Sequence, residues 1–327
     1  MAYDKPFHTY EELLEKLEKE HKLKINNKKS SLDFLSTISY YDLKNGYQEF
    51  FISNNIFNEE IDFDFLSRFY FFDKSFQTIL FKYSVFVENT FKTRLSYLLS
   101  QKMGIDTKEY LNIDNYIEPT YSKERKNKLK NLLIKLENVA NITEDNPTKY
   151  YRNKHNHIPA WILLRNVNFN DTIDLFSFLK KENKIEIINT YFNTDKLTDD
   201  EKIRLFKNMI TIVRKFRNKI AHNLKPVTFR SPEKLLHKDL VKISEKGLII
   251  KNDVKRNTGI NDLYAMILSE MVLLNQDYIK LFLVQELIYI LLPAKDLSKK
   301  YIEVANLPTN ILERLQKVHT NILERNV

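Results

Sequence analysis

Apolar residues recur three or four positions apart along nearly the whole chain, the spacing of helix faces that pack into a core. Ile203, Phe206, Ile210, Val213, Phe216 and Ile220 hold that spacing and predict a helix over Asp199 to Ala221 with Ile220 turned inward. Phe63 to Ser100 is the longest periodic stretch. Its Phe65, Phe69, Phe72, Phe76, Leu80 and Tyr83 read as bundle core and not as a base-stacking platform, because such rings bury large areas. A first helix opens with a capping box, Thr9 with Glu12, ahead of Leu13, Leu14 and Leu17. After a polar break at Lys24 to Ser30, a second helix runs from Ser31 through Tyr41, with Asn45-Gly46 as its stop.

Ser53-Asn54-Asn55 reads as a turn, and Asp62 and Asp64 as a helix N-terminus. Met103 to Pro119 reads as a linker, Ser122 to Ala140 as a basic helix and Asn141 to Pro159 as a polar loop. Pro159 starts a turn or helix over Ala160 to Leu164; Thr172 to Phe192 and Asn261 to Leu292 are helical again. Between the last two helical regions the pattern fails. Pro226 and Pro232 interrupt Lys225 to Gly259, and Val241-Lys242-Ile243 with Leu248-Ile249-Ile250 predict a small β-hairpin there. The tail repeats Asn310-Ile311-Leu312-Glu313-Arg314 as Asn321-Ile322-Leu323-Glu324-Arg325, an eleven-residue step that puts both apolar pairs on one face. Asn310 with Glu313 suits a second capping box. The fold class is all-α.

Composition narrows the picture. Only 4 Gly and 8 Pro leave little for tight β-turns, and 22 Phe with 18 Tyr supply a core that a disordered chain lacks. With 0 Cys, disulfides, thiolate catalysis and cysteine–zinc sites are excluded, and a cytoplasmic protein is the expectation. Residues 1–30 are charged and amphipathic, unlike a signal peptide. The most apolar run, Leu281 to Leu292, is too short to span a bilayer and contains Gln285 and Glu286, so no membrane partner is expected. The net charge of +9 favours polyanions, although a Lys- and Asn-rich composition also follows from AT-rich coding. Lys225 to Gly259 holds nine Lys/Arg against four Asp/Glu, a net of 9 − 4 = +5, and reads as either an RNA-gripping element or a solvated loop.

The densest chemistry is Arg217-Asn218-Lys219-Ile220-Ala221-His222 at the helix end. Arginine stays charged and forks onto phosphate oxygens. Histidine gives or takes a proton at cellular pH. Together they form a set able to cleave a phosphodiester without a metal. Asn218 and His222 are four apart and share a ridge with Arg214, while Arg217 projects from the neighbouring one. The same residues also suit a solvated basic face whose terminal His meets the helix dipole. His155-Asn156-His157 lacks carboxylates in helical register, and no Gly-rich phosphate loop is present. No metal or cofactor is therefore expected. Glu88 and Arg94, six apart, face different ways, and either supports the site or pairs elsewhere for structure. Lys82, Lys92 and Arg165 are further basic positions that border the expected groove.

Five blocks in order carry a family resemblance: Lys5-Pro6-Phe7-His8-Thr9-Tyr10-Glu11-Glu12-Leu13; Ile38-Ser39-Tyr40-Tyr41-Asp42-Leu43 with Gly46-Tyr47; Phe69-Tyr70-Phe71-Phe72-Asp73 with the Glu88 to Arg94 helix; His157-Ile158-Pro159-Ala160-Trp161; and Arg217-Asn218-x-x-Ala221-His222. Over residues 5–225 the chain resembles the Abi-like (AbiD/AbiF) abortive-infection proteins. The resemblance implies a HEPN-type helical bundle, a class that includes metal-independent ribonucleases and the nuclease halves of type VI CRISPR effectors. It also implies Arg217 and His222 as the active-site pair, Asn218 as polar neighbour, and a homodimer that brings two copies of the site together. Relatives often continue with a second His and an Arg-Leu-Trp-Asn run, where this chain reads Asn223-Leu224-Lys225-Pro226.

The expected organisation is an N-terminal helical segment (1–60), a core carrying the motif (61–224), a basic insertion (225–259) and C-terminal helices packing on the core (260–327). The expected activity is an anti-phage, toxin-like endoribonuclease. Arg214, Lys219, Lys225, Arg230, Lys234, Lys238 and Lys242 are its RNA contacts, and its partners are RNA substrate and a small regulatory RNA. The alternatives are a non-enzymatic module that binds a small structured RNA, and a toxin that acts by protein contact.

Overall fold

The computed structural model describes residues 5–118, 120–293 and 295–325. Pro119, the far end of the expected linker, lies outside them. In chain order the helices are Tyr10–Lys19 (α1), Lys28–Thr37 (α2), Gly46–Phe51 (α3), Phe63–Met103 (α4), Thr107–Tyr110 (α5), Lys123–Ile142 (α6), Thr148–Lys154 (α7), Ala160–Asn166 (α8), Phe169–Phe178 (α9), Lys181–Asn189 (α10), Asp199–Ala221 (α11), His237–Leu240 (α12), Lys251–Arg256 (α13), Leu263–Leu273 (α14), Asp277–Leu291 (α15), Lys295–Val304 (α16) and Ile311–Arg325 (α17). Among the described residues the only sheet pairs Ile52–Ser53 (β1) with Ile56–Phe57 (β2), antiparallel. The protein is all-α with this one small hairpin. No described helix is long and apolar enough to cross a membrane.

The chain divides into two compact units, the first being Met1–Thr78 with Ile290–Ala305. Both halves of the Thr9/Glu12 capping box form at α1. The Asp62 carboxylate accepts the Phe65 amide at 2.7 Å and caps α4, as a short acidic side chain before an apolar run does. Tyr47, Phe51, Phe63, Phe69, Phe76 and Tyr301 are fully buried. Among them lies a buried carboxylate, Asp73, which accepts the hydroxyls of Tyr47 at 2.6 Å and Tyr301 at 2.9 Å. Burial pushes the Asp73 pKa above the usual carboxylate value, and these donated hydrogen bonds pull against that rise.

Asn45-Gly46 does not end a helix: Gly46 has φ −53° and ψ −48° and continues a π-helical turn, Tyr41–Asn45, into α3. Burial of Tyr47 and Phe51 beyond it outweighs the intrinsic stop preference. Asn54 (φ 51°) and Asn55 (φ 65°) form the two-residue turn of the hairpin, which needs positive φ at both positions.

The second unit is Ile79–Tyr289 with Asn306–Val327. Helix α11 has its predicted bounds and packs against α9, α10 and α14. Phe206, Met209, Ile210, Val213 and Phe216 are buried, and Ile220 is half-buried. Every residue of α14 is buried, which explains its apolarity on all sides. The Met103 to Pro119 stretch is no linker. Its α5 has an Asp106/Glu109 capping box, and Tyr110 and Tyr116 are fully buried, donating to the carbonyls of Ile158 (2.8 Å) and Tyr110 (2.6 Å). The expected loop over Asn141 to Pro159 contains α7.

The predicted hairpin at 241–250 does not form; the segment is a run of turns. Its carbonyls are already committed. Leu248 O accepts the Tyr264 hydroxyl and, at 2.8 Å, Arg314 Nη1, while Glu245 O takes the Leu248 amide at 3.2 Å. In α17 the repeated Ile311 and Ile322 are both buried on one face. Asn310, just before its start, accepts the Arg314 Nε–H on its side-chain oxygen at 2.8 Å.

Candidate active site

A Thr198/Glu201 capping box and three acidic residues in the first turn open α11, and His222 is its C-cap (φ −94°, ψ 18°). The chain then reverses through Asn223, whose φ of 54° is left-handed. The Asn223 amide reaches Ile220 O at 3.0 Å and the Leu224 amide reaches Lys219 O at 2.8 Å, the paired closure of a Schellman stop. Asparagine tolerates the left-handed conformation better than other non-glycine residues. Asn223 is thus the residue that ends the helix, one step past His222. The imidazole is left exposed there, with no hydrogen bond to a described residue.

Arg217 faces the other way, toward α4. Its Nη2 is 3.4 Å from Glu88 Oε2, its Nη1 donates to Asn218 Oδ1 at 3.2 Å, and its guanidinium lies 5.8 Å from the Phe81 ring centroid. Its Nε is buried without a partner. Arg217 and Asn218 are therefore brought together. Arg217 and His222 are not: five residues apart, they diverge by about 140° around an axis of ~3.6 residues per turn.

The residue that sequence reasoning left undecided is Glu88. Its other oxygen lies 2.7 Å from Lys92 Nζ as an ion pair, and Lys92 donates to Val167 O at 2.6 Å. Next to it, Asn89 Oδ1 accepts Arg165 Nη1 at 3.0 Å. The i,i+4 spacing of Glu88 and Lys92 signals their pairing; nothing local signals the reach of Glu88 to α11. Arg94 has a structural post, stacked 4.0 Å over Tyr191 and donating to Asn275 Oδ1 at 2.8 Å. Lys82 pairs with Glu286. Arg214 is half-buried, with Nε unpartnered, and its charge acts on Asp174 of α9. Burial is the larger influence there and holds the Asp174 pKa above its ordinary value.

Lys219 lies 5.0 Å from the Phe229 ring centroid, Lys225 is half-buried, and Arg230 is exposed, donating to the carbonyls of Val227 (3.3 Å) and Phe229 (3.0 Å). Beyond them the basic segment sorts its charges by direction. All four of its acids pair with helices of the same unit: Glu233 with Lys215 (2.8 Å), Asp239 with Arg204 (2.7 Å), Glu245 with Lys280 (2.8 Å) and Asp253 with Arg314 (2.5 Å). Lys234, Lys238, Lys242, Lys246, Lys251, Lys255 and Arg256 are all exposed and form no ion pair among the described residues. The outward field is therefore more positive than the segment's net charge suggests.

His155 packs against Tyr151 with centroids 4.5 Å apart, and His157 Nδ1 lies 2.8 Å from Asn156 Oδ1, so the two histidines do not converge. Among the described residues no group of three or more His, Asp or Glu is placed to hold a metal ion.

No curated protein and no solved structure matches the chain. The sequence model of the family described as Abi-like protein matches residues 33–225, a span that covers more than half of the chain and takes in Glu88, Arg217 and His222. Membership points to a role in abortive infection, and the match settles the family: this chain belongs to the Abi-like proteins.

Proposed function

We propose that the chain is a HEPN-type, metal-independent endoribonuclease of an abortive-infection system. The observation that carries this reading is the C-terminal end of α11. There an exposed, unpartnered imidazole stands one step from a helix stop, with the part-exposed Arg217 on another face of the same last turns. The ribose 2′-hydroxyl gives its proton to one His222 imidazole as its oxygen bonds to phosphorus. The bond from phosphorus to the 5′-oxygen breaks, and a second imidazolium protonates that oxygen. Arg217 holds the non-bridging oxygens as their charge grows. The products are a 2′,3′-cyclic phosphate and a 5′-hydroxyl. One exposed imidazole does not serve both sides of the phosphorus, so a second copy supplies the other histidine and completes the cleft. Purified wild type is expected to produce these ends in EDTA, and the His222→Ala variant to lose nearly all of that activity. Full activity of His222→Ala, or strict dependence on a divalent metal, rejects the mechanism.

The seven exposed, unpaired cations of the basic segment favour a second reading, a non-enzymatic binder of structured RNA. A binder keeps its affinity in His222→Ala and leaves no product ends.

A further inference from the structure

We infer that Glu88 is an internal anion that pairs with Arg217 and yields it to a substrate phosphate, with Lys92 as the residue that makes the exchange reversible. This rests on the nuclease reading above. The argument begins with unequal partnership. Glu88 sits 2.7 Å from Lys92 through one oxygen but 3.4 Å from Arg217 through the other, by a single guanidinium nitrogen. A residue that locks an arginine does so bidentately and at short range. This contact is neither.

Exposure points the same way. The side chains of Glu88 and Lys92 are 14% and 12% exposed, whereas Arg217 is 31% exposed. When Arg217 turns to another anion, Glu88 is not left as an uncompensated buried charge, the usual reason that breaking a buried pair is costly. Lys92 stays on it and remains anchored to Val167 O at 2.6 Å. Asn218 steadies the guanidinium from the side at 3.2 Å, and Nε, buried without an acceptor, gains nothing from the resting arrangement. A phosphate offers Arg217 two oxygens in place of one loose carboxylate contact. Glu88 thus competes with substrate: it neutralises Arg217 at rest and weakens phosphate binding by the worth of one part-exposed ion pair.

The test uses the full-length protein and a labelled RNA carrying 2′-O-methyl groups, which lacks the attacking hydroxyl and reports binding alone. Glu88→Gln is expected to bind about twofold to fivefold more tightly than wild type, the scale of a part-exposed ion pair. Its slope of log affinity against log salt is expected to steepen by up to about one unit, because Arg217 then meets phosphate with its full charge. Lys92→Met leaves the Glu88 carboxylate to Arg217 alone and is expected to weaken binding. A merely structural pair would move both variants in the same direction, and Lys92→Met supplies the readout if Glu88→Gln does not fold. Glu88→Gln combined with Arg217→Ala is expected to bind no better than Arg217→Ala. Unchanged or weaker binding by folded Glu88→Gln, with Arg217→Ala still impaired, overturns the exchange and leaves the nuclease reading standing. Wild type that binds no RNA overturns both.

Discussion

Two arginine–carboxylate pairs in the second unit show how differently the same chemistry is used. Arg314 grips Asp253 with both terminal nitrogens, at 2.5 and 3.0 Å, and adds Leu248 O and Asn310 Oδ1, each at 2.8 Å. Its side chain is 5% exposed and its partner 4%. Arg217 touches Glu88 once, at 3.4 Å, with one nitrogen left over and a lysine sharing the carboxylate. The first pair is saturated and bolts α17 to the basic segment. The second is under-committed and open to an incoming anion. Saturation, more than residue type, separates a structural arginine from one available for binding.

The sharpest test of the contrast compares what each arginine costs. Arg217→Ala and His222→Ala are each expected to lower RNA cleavage by ~10²–10⁴-fold while the thermal midpoint barely moves. Arg217→Ala unfolding as readily as an Arg314 variant would erase the distinction. Arg314→Ala leaves Asp253 buried and uncompensated and is expected to cost ~3–5 kcal/mol in denaturant unfolding. A loss under ~1 kcal/mol, the worth of an exposed pair, would mean that the bolt bears little.

A third carboxylate marks the opposite limit. Glu270 is fully buried on α14 with neither oxygen hydrogen-bonded, and burial pushes its pKa well above the ordinary 4.5. The folded state therefore holds this proton more tightly than the unfolded state. Its contribution is complete below about pH 4.5 and is lost as pH rises toward the folded value. Glu270→Met is expected to raise stability at pH 7 by ~1–3 kcal/mol, with the gain shrinking toward pH 4.5. A destabilised variant would show that Glu270 has a partner in solution. The smallest effect belongs to the surface cations. Lys238→Gln and Lys242→Gln are each expected to flatten the salt dependence of RNA binding by at most about one unit, with no change in melting. A salt slope indifferent to both places the RNA elsewhere.

Much of the frame was legible before any coordinates. The bounds of α11, the cap at Thr9 and the buried stripe along α4 follow from spacing and end chemistry. Those are local properties, expressed within one or two helical turns. The failures lie where distant partners intervene. Gly46 is helical because Tyr47 and Phe51 are buried beyond it; the stretch after Met103 is held by Tyr110 and Tyr116; the 241–250 hairpin loses Leu248 O to Tyr264 and Arg314.

The candidate site divides along the same line. Sequence alone determined that Arg217, Asn218 and His222 stand at the end of one amphipathic helix, because helical periodicity places each side chain relative to its neighbours. Tertiary structure decided that Arg217 meets Glu88, that His222 is left in solvent, and that the basic segment turns its acids inward and its lysines outward. Those outcomes depend on how each helix is rotated against the others. Packing of whole apolar faces sets that rotation, and no short stretch of residues encodes it.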